Sequence, residues 1–410
     1  RIIINQDLFD LSQVRHFQAS DQILSHLAVK SVSTYIIYHL RQSGAVHPTW
    51  EQMCVRAFTR ADPGAELDAC LWSLTEALKT LMKGASQGET GKLLASFDSS
   101  LTVLCSKLLN EDRNKVDTRP LESTFCFLTD LLEALAASAL RDGADGCLRC
   151  QKLVHLHSSE LLKAIRCSSE YFVKRRLLLL LKRVVLQKAG EEWTSGAAAG
   201  AGPRSRDADL TLLTQSVLTA VGVNWLEGVQ VDVSSSFWGT GSLHADASKP
   251  DYVVLRAVSL LLLKSMEIHI EAASKKGLVD VATLNAYLRK LWGFLKRNSV
   301  QLKDQGHLCC WISVLFGEQD DDMMEAAKAS LSIFLHYRRC SELRGLALLE
   351  EACAFGYNPH CHFILLLASV SFDHSFLLDL LISTETCFLE YLVQYLKCLR
   401  ADWQGYSTAC

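Results

Sequence analysis

Proline is scarce in these 410 residues, six in all, so few positions would break a helix. Charge of one sign is lacking too. The 42 lysines and arginines stand against 45 aspartates and glutamates, a net charge of −3, which gives no general electrostatic pull toward nucleic acid or an anionic bilayer. Long hydrophobic runs are missing: stretches such as Phe363-Ile364-Leu365-Leu366-Leu367-Ala368 fall far short of the ~20 residues that span a membrane. Neither sustained apolar–polar alternation nor hairpin dipeptides separate the apolar runs, which argues against strands. What is present is 49% hydrophobic and 21% charged, a balance that builds a core and excludes wholesale disorder.

Cysteine is plentiful, at 15, but the number is odd and the chain is far larger than small disulfide-stapled domains. Most cysteines sit in apolar stretches, such as Cys105, Cys126 and Cys398, where a thiol behaves as a small hydrophobe. The expectation is a reducing compartment, cytosol or nucleus. No signal-peptide pattern is visible, and the chain opens at Arg1 rather than methionine.

The dominant period is helical. From Asp21 to Leu40, apolar residues recur at Leu24, Leu27, Ala28, Val32, Tyr35 and Ile36, one face of a helix with Ser20 as N-cap and Gly44 as stop. Similar helices are predicted after Pro63-Gly64, Pro120, Asp209 and Pro250, the last closed by Gly277. Residues 190–206 are rich in glycine, alanine and serine and read as a flexible linker; residues 228–249 also look irregular. The expected organisation is an N-terminal helical array over 1–189, the linker at 190–206, and a C-terminal helical array over 207–410. So many amphipathic helices exceed one bundle. With no crisp repeat signature, they point to an all-α fold, an irregular armadillo- or HEAT-like α-solenoid.

Chemistry is harder to find. Gly84-Ala85-Ser86-Gln87-Gly88 matches a G-x-S-x-G nucleophile pattern, but a helical segment precedes it where a strand is required. Gly91-Lys92 resembles the end of a phosphate loop, yet Ser86 stands at its first glycine and Leu93 at its Ser/Thr. Cys147 and Cys150, with His155, His157 and Cys167, offer soft ligands for zinc. The two histidines, however, would point about 160° apart on a helix, and their spacing is not that of a finger. His360-Cys361-His362 meets the same objection. The expectation is no cofactor and no enzyme, with Cys147, Cys150, His155 and Cys167 as the metal candidates and a zinc-binding protein as the alternative. The basic stretch with Lys174, Arg175, Arg176, Lys182, Arg183 and Lys188 reads as the solubilising flank of an apolar helix. Nuclear import, an acidic partner or a helical-repeat nucleic-acid binder are the competing uses.

Residues 373–403 contain Ser383-Thr384-Glu385-Thr386-Cys387-Phe388-Leu389-Glu390-Tyr391-Leu392-Val393-Gln394-Tyr395-Leu396-Lys397. This resembles the hallmark S-x-E-T-C-F-L-x-Y-L-x-x-Y-L-K block of the Lines family. Lys174–Gly190 is similar to that family's leucine-rich basic helix ending in Lys-Ala-Gly. The resemblance implies a non-enzymatic protein-interaction scaffold in developmental, Wnt/Wingless-type signalling. It also implies movement between cytoplasm and nucleus, and association with odd-skipped-type zinc-finger transcription regulators. Family members carry a further C-terminal region, so the resemblance implies a chain shorter than its relatives. By its spacing the block is a terminal helix. Ser383 or Thr384 caps it, a stripe of Phe388, Leu389, Leu392, Val393, Leu396 and Leu399 faces the core, and Tyr391 and Tyr395 lie on a flank with wet hydroxyls. The candidate partner-binding residues are Tyr391, Gln394, Tyr395 and Lys397, with Lys174, Arg175 and Arg176 on the basic helix.

Overall fold

The computed structural model describes residues 16–17, 21–84, 87–110, 118–142, 147–168, 170–191, 206–232, 250–273, 279–298, 300, 307–341, 343 and 345–409. Helices dominate them, and no β-strand forms among the described residues. Contacts divide the chain into two compact units, Arg1–Leu213 and Thr214–Cys410. Residues 192–205 of the expected linker, 233–249 of the second irregular segment, Gly277 and Ser86 lie outside the described residues.

The first unit contains α1 (Gln22–Ser43), α2 (Pro48–Arg60), α3 (Ala65–Lys83), α4 (Gln87–Ala95), α5 (Asp98–Asn110), α6 (Thr118–Asp142), α7 (Leu153–Leu156), α8 (Ser158–Cys167) and α9 (Tyr171–Val185). Helix α10 (Arg206–Gly222) carries the boundary. The second unit contains α11 (Tyr252–Ala273), α12 (Val281–Arg297), α13 (Trp311–Phe316), α14 (Asp320–Cys340), α15 (Gly345–Ala354), α16 (Pro359–Ser369), α17 (His374–Ile382), α18 (Phe388–Ala401) and α19 (Trp403–Ala409).

Within the first unit, α1 packs on α3, α3 on α6 and α6 on α9, while α2 packs on α5 and α5 on α8. In the second, α11 packs on α14 and α14 on α18, while α13 packs on α16 and α16 on α19. Each unit thus contains two rows of helices packed one on the next, the packing logic of an α-solenoid. The solenoid-like all-α expectation holds.

Local chemistry explains the element ends. Asp21 accepts from the amides of Ile23 and Leu24, filling the cap assigned to Ser20, which lies outside the described residues. Gly44 closes α1 at φ +73°, a left-handed conformation that favours glycine. Asn358 caps α16 ahead of Pro359, and Asp373 caps α17. The expected core face of α1 needs correction: Ala28, Val29, Val32, Ile36, Ile37 and Leu40 are buried, whereas Leu24 and Leu27 are exposed. Among the described elements, α3 and α4 are the main neighbours of α1, and they leave Leu24 and Leu27 at the surface.

Residues Glu122–Arg141 of α6 are long and apolar enough to cross a bilayer, and 61% of that stretch is buried inside the protein. Such burial is that of a central helix, here held between α3 and α9. Helices α16 and α17 also pass that test as a pair, although the chain bends by 112° between them.

Candidate protein-interaction face

At about 100° per residue, Phe388, Tyr391, Tyr395 and Cys398 fall on one side of α18, and all four are buried. Tyr395 stacks on Phe363 of α16 at 4.3 Å between ring centroids, and its hydroxyl hydrogen-bonds His360 Nδ1 at 3.3 Å. Burial pushes the Tyr391 phenol above its usual range. On the opposite side Leu389, Val393 and Leu396 are exposed, at the i, i+4, i+7 spacing of a single stripe. Exposed Lys397 and Arg400 lie beside them.

Both expectations for this helix are therefore corrected. Its core face is aromatic, and the tyrosine hydroxyls are not wet. A ring buries more area than a leucine, so where two apolar stripes compete for the core the aromatic one gains more by turning inward. Tyr391 and Tyr395 support the helix from beneath, while Lys397 lies at the surface. Gln394 is half-buried and donates to Glu390 at 3.3 Å. Glu390 in turn pairs with Lys328 of α14 at 2.7 Å. Ser383 closes α17 rather than opening α18, which begins after Cys387.

Helix α17 packs against α18 and is even less covered: Leu380 is its buried residue, while Leu378 and Ile382 are exposed. At the corner before it, Ser371 and Phe372 both hold positive φ, +53° and +58°, unusual for residues with side chains. Phe372 projects into solvent there. From Leu378 to Leu396, the exposed apolar side chains on α17 and α18 are 42% to 71% accessible. Clustered apolar exposure of this kind marks interaction surfaces.

The basic helix α9 is turned inward. Lys174 is buried, Arg176 pairs with Asp130 of α6, and Arg183 pairs with Glu133 of α6 at 2.7 Å. Burial raises Asp130 above the usual carboxylate range, and the Arg176 guanidinium opposes that rise. Arg175 is half-buried. As placed, Arg176 and Arg183 bind two helices of one unit to each other.

The four metal candidates do not come together; no three of them share a site. Cys147 lies in extended chain before a 3₁₀ turn, Arg149–Lys152. Cys150 is buried, which pushes its thiol upward, and Cys167 is exposed at the end of α8. His155 is held below the ordinary histidine range by burial, with the Asp209 carboxylate pulling the other way. A different set converges instead: His307, Cys309, Cys353 and Cys361 place one ligand atom each within 4.8 Å of one another. Sequence reading missed it because the spacing, His-x-Cys and a distant Cys-x₇-Cys, matches no familiar ligand motif. Only tertiary contact between α16 and the 3₁₀ turn Leu308–Cys310 brings the pairs into register.

No solved structure matches this chain. A family model described as Lines N-terminus matches residues 73–410. Protein Lines homolog 1 of Homo sapiens is 34% identical across 100% of the chain, which spans 56% of that relative. The Mus musculus homologue is 32% identical over the same shares. Protein lines of Drosophila melanogaster is 28% identical over 183 residues, 40% of this chain and 20% of that protein. The chain therefore spans little more than half the length of the mammalian relatives it matches. A family model that covers the second helical unit and most of the first, together with similarity along the whole chain, places this protein in the Lines family.

Proposed function

We propose that this chain is a non-catalytic interaction scaffold, serving as a Lines-type regulator of developmental, Wnt/Wingless-type signalling in cytoplasm and nucleus. The observation that carries the reading is the apolar stripe of Leu389, Val393 and Leu396, left exposed opposite a fully buried aromatic face. It lies within the segment that resembles the family block. A helix that buries one side and presents leucines on the other fits a partner helix laid along it. Lys397 and Arg400 beside the stripe favour a partner helix with carboxylates on its flank. Odd-skipped-type zinc-finger transcription regulators are the proposed partner class. Direct nucleic-acid binding through α9 is not favoured, since Arg176 and Arg183 already hold carboxylates of α6.

The test is titration of a purified odd-skipped-type regulator against the chain and against Leu389→Glu/Val393→Glu/Leu396→Glu. Losing three apolar contacts of roughly 1.5–3 kcal/mol each predicts at least a ~10-fold weaker complex. Lys397→Ala/Arg400→Ala should weaken it less and flatten its salt dependence. Equal binding by the wild type and the triple variant would remove α18 as the docking face.

A further inference from the structure

Gly356, at the corner between α15 and α16, adopts φ +68°, and a β-carbon there would meet the Trp292 ring at 3.0 Å and Leu308 Cγ at 3.2 Å. Its carbonyl accepts from Trp311 Nε1 at 2.8 Å and from His362 Nε2 at 3.0 Å. This corner is fixed both by sterics and by hydrogen bonds, and it sets Cys353, near the end of α15, against Cys361, in the first turn of α16. The two sulfurs lie 3.8 Å apart. From the preceding 3₁₀ turn, buried Cys309 and exposed His307 complete the group. The His307 ring is held by the Cys309 amide, which donates to Nδ1 at 3.3 Å.

We propose that His307, Cys309, Cys353 and Cys361 bind one zinc ion in a closed, structural Cys₃His site. Zinc–sulfur bonds of about 2.3 Å at tetrahedral angles set a sulfur–sulfur edge of about 3.8 Å, which is the separation of Cys353 and Cys361 before any metal is considered. Three thiolates and an imidazole form a set that selects zinc among the abundant divalent ions. Four protein donors leave no open position, so the site staples segments rather than activating water. Asn358 supplies an outer contact, its Nδ2 donating to Cys353 Sγ at 3.1 Å, as expected around a metal thiolate. An entry path exists: His307, Cys353 and Cys361 line a cavity of about 490 Å³ together with Leu349, Asn358 and Leu365. Binding replaces three S–H bonds by S–Zn bonds, releases three protons to solvent and leaves the site with a charge of about −1. Among the described residues, no other set of three or more His, Cys, Asp or Glu side chains converges in this way.

The experiment is elemental analysis of the 410-residue chain purified from zinc-supplemented cells. Wild type is expected to retain about one zinc per chain through gel filtration, and Cys147→Ser/Cys150→Ser should retain as much. Cys353→Ser/Cys361→Ser should lose at least ~10-fold of it, since replacing two of four ligands removes most of the binding free energy. Should that variant lose its helical circular dichroism, the wild type still decides: cobalt(II) must give the intense visible bands of a tetrahedral ion with thiolate-to-cobalt charge transfer. Sub-stoichiometric zinc with no tetrahedral cobalt spectrum overturns the proposal. So does zinc that persists in folded Cys353→Ser/Cys361→Ser, a Cys353–Cys361 disulfide in the isolated chain, or iron in place of zinc.

Discussion

Lys264 of α11 is buried, beside the more deeply buried Glu267 and 2.9 Å from Glu325 of α14. Burial alone would lower its affinity for a proton, yet the Glu267 and Glu325 carboxylates override it and raise the ammonium above the ordinary lysine range. Lys264→Met leaves Glu267, only 2% exposed, without its cation. The expected cost is about 3–5 kcal/mol, read by urea unfolding, with much of it recovered in Lys264→Met/Glu267→Leu. A second residue gives a pH signature. His155 is neutral in the fold because burial lowers it, whereas an unfolded histidine takes its proton near about pH 6.5. The unfolded chain therefore binds the proton first as pH falls. The His155 contribution is complete above about pH 6.5 and is lost progressively on acidification below it. His155→Gln should flatten the stability–pH curve over that window; an unchanged curve would mean that other groups set it. Lys264 did not stand out in the sequence, and His155 stood out only as a metal candidate. A lysine at helical spacing from a glutamate is ordinary, and only burial makes the pair consequential.

Helix α18 shows how far an element can be read in advance. Its existence and its place in a family block were legible, because a 3.6-residue period over an uninterrupted run leaves little alternative; its start was not, since Ser383 closes α17 and α18 begins after Cys387. Which side faces inward was not. Apolar residues cover more than half of its circumference, and periodicity does not rank a tyrosine stripe against a leucine stripe; packing on Phe363 and His360 does. The two faces predict opposite stability outcomes. Leu389→Glu/Val393→Glu/Leu396→Glu, all on exposed positions, should stay within about 1 kcal/mol of wild type by thermal melting. Tyr395→Ala should cost about 3–5 kcal/mol through the cavity it leaves, and Tyr395→Phe only about 1 kcal/mol for the hydrogen bond to His360. If the triple variant melted as early as Tyr395→Ala, the assignment of faces would be reversed. Helix α1 carries the same lesson: Leu24 and Leu27 obey the period but are exposed among the described residues.

Over the whole molecule, the all-α class and the stacking of amphipathic helices follow from scarce proline and recurrent caps. The sequence reading divides the chain into two helical arrays at 190–206, and contacts divide it at Leu213–Thr214, within α10. Least legible was the convergence of His307, Cys309, Cys353 and Cys361, which depends on long-range packing that spacing does not encode. A calorimetric prediction belongs at this scale. A strong chelator with a thiol-blocking reagent should lower the same unfolding transition that Lys264→Met lowers, since both act in Thr214–Cys410. The transition that His155→Gln shifts should stay in place. A chelator effect on the His155 transition alone would contradict a metal in the second unit.

The pairing of α9 with α6 bears on trafficking. A basic run serves as an import address when a carrier can grip its cationic heads along loose chain. Here Lys174 is buried, Arg176 and Arg183 hold Asp130 and Glu133, and the backbone between them is wound into a helix. A signal search on the letters alone would flag Lys174–Lys188, while in the folded molecule two of its arginines already hold carboxylates of α6. For Arg176 and Arg183 to be gripped, their ion pairs with Asp130 and Glu133 would first have to open. Passage on a bound partner demands no such opening.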